Sequence, residues 1–447
     1  MTNTLREPVM ADGRLPLLGH GLRMKRAPGD FLLSLQNGDA VSMIQLGRET
    51  AYVLNDPELI RQALRDTETF IRGGPVTERF RAMFGNGLGI SEGEFHRRQR
   101  AIIQPAFHRN KIIEYAGISS EIADDYTKRW RDGERVAVDE EMDSLALANV
   151  IRVMFSADTG IDQTRFMSAV STVLGGLFQR VADSTGLITA LPTPANRRYR
   201  RSEEYLRRTI HDVISAYRAA DVDHGDLLSM MMFARDESGE PAMSDQQLHD
   251  EVMTFFIAGS NTISNTLAWA CHEIATHPDV ERAMHAEVDE VLGGRPAAHD
   301  DLANLTYTRR VITETLRYRT QGLFLSRVTA LDTEIGGYAI PEGATVLYSF
   351  HALNHNPAIH PRPGQFDPDR WEPERAKSIP RGAFMPFSIG THGCIGDQLA
   401  WTEMVITLAT IATRWRLTSV PGHVPQPKLA ITMPVDSLPM IAHRRVS

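Results

Sequence analysis

Residues 355–397 contain seven prolines and keep neither a helical nor a strand period. A compact chain rarely carries so long an irregular stretch without a functional reason. This one ends in Phe387-Ser388-Ile389-Gly390-Thr391-His392-Gly393-Cys394-Ile395-Gly396, directly ahead of a helical pattern. A cysteine just before a helix start has backbone N–H groups and the positive end of the helix dipole near its sulfur, and both favour thiolate over thiol. Gly390, Gly393 and Gly396 let the backbone pass close to something flat and bulky, and Phe387 can shield the sulfur from water. A lone cysteine is most often a small buried hydrophobe. Three glycines within seven residues argue against that for Cys394, whereas Cys271, between Trp269 and His272 in a helical segment, takes the structural reading.

The rest of the chain reads as mainly α with a small β portion. Residues 110–130, 200–220, 245–277, 279–292, 304–319 and 398–415 carry apolar residues at three- and four-residue spacing, the mark of helices. The longest, 245–277, opens on Ser244 and Gln247, a capping-box pair, and closes at Pro278. Residues 41–54 alternate and turn at Gly47, which predicts a hairpin, and 332–350 reads as a second β region.

Composition excludes several classes. At 447 residues and 42% apolar, the chain can bury a large core. Net charge is −8 with no long basic run, so no nucleic-acid partner is expected. The short clusters Arg97-Arg98-Gln99-Arg100 and Arg197-Arg198-Tyr199-Arg200-Arg201 read as solvated helix faces. Two cysteines are too few for a disulfide framework and fit a reducing cytoplasm. No apolar run reaches the length of a membrane span. One domain over 1–447 is expected, with residues 1–14 a flexible tail.

The Cys394 segment matches Phe-x-x-Gly-x-x-x-Cys-x-Gly, and in this it resembles the cytochrome P450 family. The resemblance implies the P450 fold, with haem b between the long central helix and the cysteine-bearing loop and Cys394 as its axial ligand. An electron-rich thiolate favours O–O cleavage over reversible O₂ binding. Other motifs follow in the family's order. Glu314-Thr315-Leu316-Arg317 and the later Phe366-Asp367-Pro368-Asp369-Arg370 resemble a buried structural network of Glu314, Arg317 and Arg370. His96 and Arg100, one helical turn apart, together with Arg327 and His392, take the positions that bind the haem propionates, with Phe387 and Gly396 flanking the ligand. Ala258-Gly259-Ser260-Asn261-Thr262 resembles the oxygen-activating segment. There a threonine hydroxyl bonds back to the i−4 carbonyl and bends the helix, and glycine adds slack. This chain has Asn261 where the family has an acid, and an amide cannot release and regain a proton.

By the same resemblance the substrate pocket draws on Phe80, Phe84, Leu88, Ile257, Ala258, Leu323, Phe324, Leu325 and Met433. That set is apolar and predicts a greasy small molecule bound by burial. Residues 191–199 are similar to bacterial terpene-oxidising members, which implies a terpenoid of secondary metabolism. The expectation is a cytoplasmic, monomeric monooxygenase that takes O₂ and receives electrons from a ferredoxin and ferredoxin reductase. The alternatives are a haem-thiolate dehydratase, isomerase or peroxide user, supported by Asn261, and a haem sensor or electron carrier, which would need no apolar pocket.

Overall fold

The computed structural model describes residues 5–156, 159–182, 187–428 and 432–445. Its strands are β1 (Val9–Met10), β2 (Val41–Leu46), β3 (Glu49–Leu54), β4 (Phe70–Ile71), β5 (Glu134–Ala137), β6 (Leu325–Thr329), β7 (Thr333–Ile335), β8 (Tyr338–Ile340), β9 (Thr345–Tyr348), β10 (Trp415–Ser419) and β11 (Pro439–Arg444). The chain forms two compact units from interleaved segments. The first is Met1–Glu78, Ser91–Arg97 and Thr313–Cys394; the second is Arg79–Ile90, Arg98–Ile312 and Ile395–Ser447.

The first unit holds a six-stranded sheet in the order β1-β2-β3-β9-β6-β4. The predicted hairpin forms with Val41 opposite Leu54 and Leu46 opposite Glu49, and Gly47 takes φ +64° at the turn, a conformation open to glycine. Val41 and Leu54 pack into one buried cluster and Ile44, Ala51 and Val53 into another, so both faces of the hairpin are covered and the expected alternation does not separate a buried side from an exposed one. The predicted second β region splits: β7 and β8 pair with each other, while β9 joins the main sheet parallel to β3. The expected N-terminal tail is corrected from residue 5 onward. The Arg6 amide donates to Gly337 O at 2.8 Å, and β1 pairs with β2, so strand pairing satisfies this segment's backbone.

Residues 356–396 contain, as described elements, only the 3-10 turn Pro368–Trp371 and the short helix Pro373–Ala376. They are held instead by the network around Glu314, which is fully buried, as is Arg317. Arg317 grips the Glu314 carboxylate at 2.9 and 2.6 Å. It also donates to the carbonyls of Asn354, Pro363 and Gln365. Glu314 in turn accepts from the Asp367 amide at 3.0 Å, the Trp371 indole at 2.8 Å and Arg370 at 3.4 Å. Charge this deep persists only when paired and fully hydrogen-bonded, and here it ties the helix Thr306–Tyr318 to the irregular segment.

The second unit is helical around the unbroken helix Asp245–Thr276. Its N-cap Ser244 accepts from the Gln247 amide at 3.2 Å. The reciprocal half of the predicted capping box is replaced, because the Gln247 side chain turns to Glu251 and the Asn86 carbonyl. The helix Val138–Met154 packs along it. That helix shows no sequence stripe because it is buried nearly all round. The helix predicted over 200–220 begins earlier, at Pro194, capped by Thr193. The last helix, Asp397–Arg414, leads directly into β10 of the β10-β11-β5 sheet.

Candidate functional site

In the first unit Cys394 closes a tight loop. Its amide donates to Phe387 O at 2.9 Å, and the Gly393 amide donates to Gly390 O at 2.9 Å. Gly390 is needed twice over: its φ is +76°, and a Cβ there would lie 2.6 Å from Leu64 O. Gly396 meets no such constraint, its Cβ position being 3.6 Å from the nearest atom. Ser388 also takes positive φ, +57°, a left-handed conformation that costs a serine about 1–3 kcal/mol. Cys394 is exposed, whereas Cys271 is buried, and burial pushes the Cys271 thiol up to about 12.

Three of the four residues expected at the propionates come together beside this loop. His96, Arg327 and His392 are all buried, and the His96 and His392 rings lie 4.2 Å apart. Both His96 nitrogens meet protein partners, the Ser91 hydroxyl and the Thr391 carbonyl, each at 3.2 Å. Burial, with His392 and Arg72 nearby, lowers its pKa to about 4, so the ring is neutral. Arg100 lies one turn further along the same helix, Gly93–Ile103.

The sequence reading missed Glu92 and Arg72. Glu92 accepts from His392 Nε2 at 2.8 Å and from the Arg72 amide at 2.5 Å. Burial opposes the Glu92 charge, but these bonds outweigh it and hold the carboxyl down to about 2. Three hundred residues separate Glu92 from His392, and no local pattern signals such a pair. Burial also lowers the His392 pKa, with Arg72 and Arg327 adding to it against Glu92.

Two buried atoms here, Arg327 Nε and His392 Nδ1, have no partner among the described residues. Orphaned polar atoms of this kind call for a ligand. A guanidinium and an imidazole suit carboxylates. With Glu92 on Nε2, His392 donates from Nδ1 only as imidazolium, the form an arriving anion favours. The residues present therefore fit a group that carries carboxylates next to a thiolate ligand, as haem does.

In the second unit the predicted oxygen segment lies on the helix Asp245–Thr276. Thr262 Oγ1 donates to Ala258 O at 2.7 Å, as expected. The helix does not break there, and Thr254, Ser260, Thr266 and Thr276 make the same i−4 bond, so the bond alone does not distinguish Thr262. Gly259 serves packing rather than slack: a Cβ would stand 2.9 Å from Val150 Cγ2. Asn261 Oδ1 accepts from the Thr432 hydroxyl at 2.5 Å and the Asn265 amide at 3.2 Å.

A cavity of about 650 Å³ opens beside this segment, lined by Phe80, Phe84, Ile257 and Ala258 from the expected pocket. Leu88 packs into the core of the second unit instead. Met433 gives its carbonyl to the Trp269 indole, next to the cavity residues Thr432 and Pro434. Leu323, Phe324 and Leu325 belong to the first unit; Leu323 is buried, while Phe324 and Leu325 are exposed. The expectation of an apolar lining needs correction, because Asp139, Asp143, Lys428 and Asp436 also line the cavity. Helix packing and the chain's return at Lys428 and at 432–436 bring them there, and periodicity does not reveal either.

The sequence profile described as Cytochrome P450 matches residues 10–438. The chain is 42% identical to the cyclooctat-9-en-7-ol 5-monooxygenase of Streptomyces melanosporofaciens, over 97% of this chain and 95% of that one. It is 37% identical to the pentalenene oxygenase of Streptomyces avermitilis, over 95% and 94% respectively. Among solved structures, the cytochrome P450DA haem domain superposes with a TM-score of 0.87 at 26% identity, covering 99% of this chain and 98% of that one. Sequence, fold and loop geometry agree: this chain belongs to the cytochrome P450 family and is a haem-thiolate monooxygenase.

Proposed function

We propose that this enzyme inserts one atom of O₂ into a polycyclic terpenoid held in the cavity beside Ala258. The cavity carries the reading: about 650 Å³ walled in part by Phe80, Phe84 and Ile257 is a volume suited to a compact hydrocarbon skeleton. The relatives named for cyclooctat-9-en-7-ol and pentalenene point the same way. In this reading Cys394 would ligate the haem iron, with Phe387 and Gly396 flanking the sulfur, and Arg327, His392 and Arg100 would hold the propionates. His96, expected among them, has both nitrogens engaged by Ser91 and Thr391 and would act by packing its ring against His392. When bound, haem would supply oxygen activation there, with a thiolate ligand favouring O–O cleavage. Thr262 handles protons at its hydroxyl. Asn261, committed at Oδ1 to Thr432 and Asn265, holds water from its amide N–H groups but does not titrate.

Electrons come from a ferredoxin and its reductase, in the cytoplasm, to a monomeric enzyme. No helix among the described residues is long and apolar enough to cross a membrane. Arg109 supports the docking site: it lines a cleft of about 370 Å³ in the second unit with Arg309, His299 and Trp401. The test is incubation of the reconstituted enzyme with cyclooctat-9-en-7-ol or pentalenene, O₂, NADPH and a ferredoxin system. A product heavier by one oxygen from either terpenoid is expected. Failure to oxidise or bind any member of a terpenoid panel would remove this substrate class.

A further inference from the structure

The cavity beside Ala258 is lined by two chemically different sets of residues. Phe80, Phe84, Leu174 and Ile257 are apolar. Asp143, Asn261, Ser264, Asn265 and Thr432 are polar, as are Asp139, Lys428 and Asp436. Most of these polar groups are already engaged. Asp139 accepts from the Leu438 amide at 2.9 Å, and Asp436 accepts from the amides of Gln426 and Ser437 at 2.9 and 2.8 Å. Asn261, Asn265 and Thr432 bond one another.

Asp143 differs. It projects from the helix Val138–Met154, and its side-chain partner among the described residues is the Ser264 hydroxyl, which also lies 3.2 Å from the Asn261 carbonyl. A carboxylate has about four acceptor positions, and Asp143 lines the cavity, so a hydroxyl there can reach those that Ser264 leaves open. A bare hydrocarbon filling that space would strip water from Asp143 and give no hydrogen bond in return. An alcohol would replace the lost water.

We infer that the substrate of this cavity is a terpenoid that already carries a hydroxyl, and that Asp143, beside Ser264 and Asn261, receives that hydroxyl while Phe80, Phe84 and Ile257 enclose the hydrocarbon. The inference rests on the terpenoid reading and narrows it. Burial already raises the Asp143 pKa, Asp139 and Glu140 add to this, and Ser264 and Lys428 oppose it. A further hydrogen bond to the ionised form relieves that penalty. The reaction supplying the substrate must then leave an alcohol, as a water-quenched cyclisation or an earlier oxygenation does.

Calorimetric titration of the haem-loaded enzyme tests this with matched pairs: cedrane against cedrol, and cyclooctat-9-en-7-ol against its deoxy hydrocarbon. A site built for a hydroxyl rejects the analogue lacking it, so the alcohol should bind about tenfold or more tightly, a difference of about 1.4 kcal/mol. Asp143→Leu should bring the two affinities within about threefold, with the loss falling on the alcohol. Asp143→Asn keeps the volume and one acceptor and should fall between, which preserves the test if the leucine variant does not fold. Equal binding of both members by the unmodified enzyme overturns the inference. So does an alcohol preference that survives both substitutions. If no terpenoid of either kind binds, the broader terpenoid reading has failed and the inference falls with it.

Discussion

Cys394 is the residue on which the chemistry depends, and its replacement gives an unambiguous readout. Cys394→Ser removes the soft, electron-rich ligand, so the long-wavelength Soret band of the reduced CO complex should disappear; a band that persists would move the ligand elsewhere. Thr262 and Asn261 are separable by similar means. Thr262→Ala leaves a helix already rich in i−4 hydroxyl bonds, so folding should be unaffected. Product per NADPH should fall about a hundredfold as peroxide is released instead, the lower end of what a positioned proton donor contributes. Unchanged coupling would reduce Thr262 to a helix-surface residue. Asn261→Asp keeps the Oδ1 that Thr432 and Asn265 address, so it should fold normally and restore a titratable acid, visible as a changed solvent isotope effect on O₂ consumption. Residues whose neighbours in the chain carry the signal, such as Gly390 and Cys394, were legible in the sequence. Glu92, Arg72, Asp143 and Thr432 were not, because each acts on groups supplied by distant segments.

At the scale of elements, two buried carboxylates behave oppositely. Glu314 is satisfied by Arg317, Arg370, Trp371 and the Asp367 amide. Glu314→Ala would strand buried guanidinium charge and cost about 3–5 kcal/mol, so little folded, haem-loaded protein should be recovered; normal yield and haem content would contradict the network's structural weight. Among the described residues no cation pairs with Glu251. Burial pushes its pKa up to about 7, against hydrogen bonds from the Leu88 amide and Gln247, with Asp250 adding to the rise. Between pH 4.5 and about 7 the folded chain keeps a proton there that the unfolded chain has released. Stability is therefore fully present below that window and declines as pH rises through it, by up to about 3 kcal/mol. Glu251→Gln should flatten the slope of Tm against pH across this range, and an unaltered slope would assign it to other groups. The elements were legible to the same degree as their periodicity. Amphipathic helices such as Pro278–Leu292 matched closely, while Val138–Met154, buried on almost every face, showed no stripe to read.

At the scale of the whole molecule, electrostatics sets the terms for electron delivery. The chain carries a net charge of −8, so an acidic ferredoxin is repelled on average and can dock only where cations are concentrated. Of the basic residues near the helix Gly93–Ile103, Lys111 is committed to Glu114 at 2.7 Å and the Gly225 carbonyl at 2.9 Å. Arg98 leans toward Asp236 at 3.8 Å. Arg97 and Arg109 are exposed, and Arg109 borders the cleft with Arg309 and Trp401. Docking steered by such rim charges acts mainly on the association rate and weakens with salt. The first-electron reduction rate should thus fall several-fold between low and physiological ionic strength. Arg109→Glu should lower it by about tenfold at low salt and flatten the salt dependence, whereas Lys111→Glu should change it less because that charge is already neutralised locally. Spectra and substrate affinity should stay unchanged in both variants, which separates a docking defect from a damaged haem site. A reduction rate indifferent both to ionic strength and to Arg109→Glu would place the donor on another face of the protein.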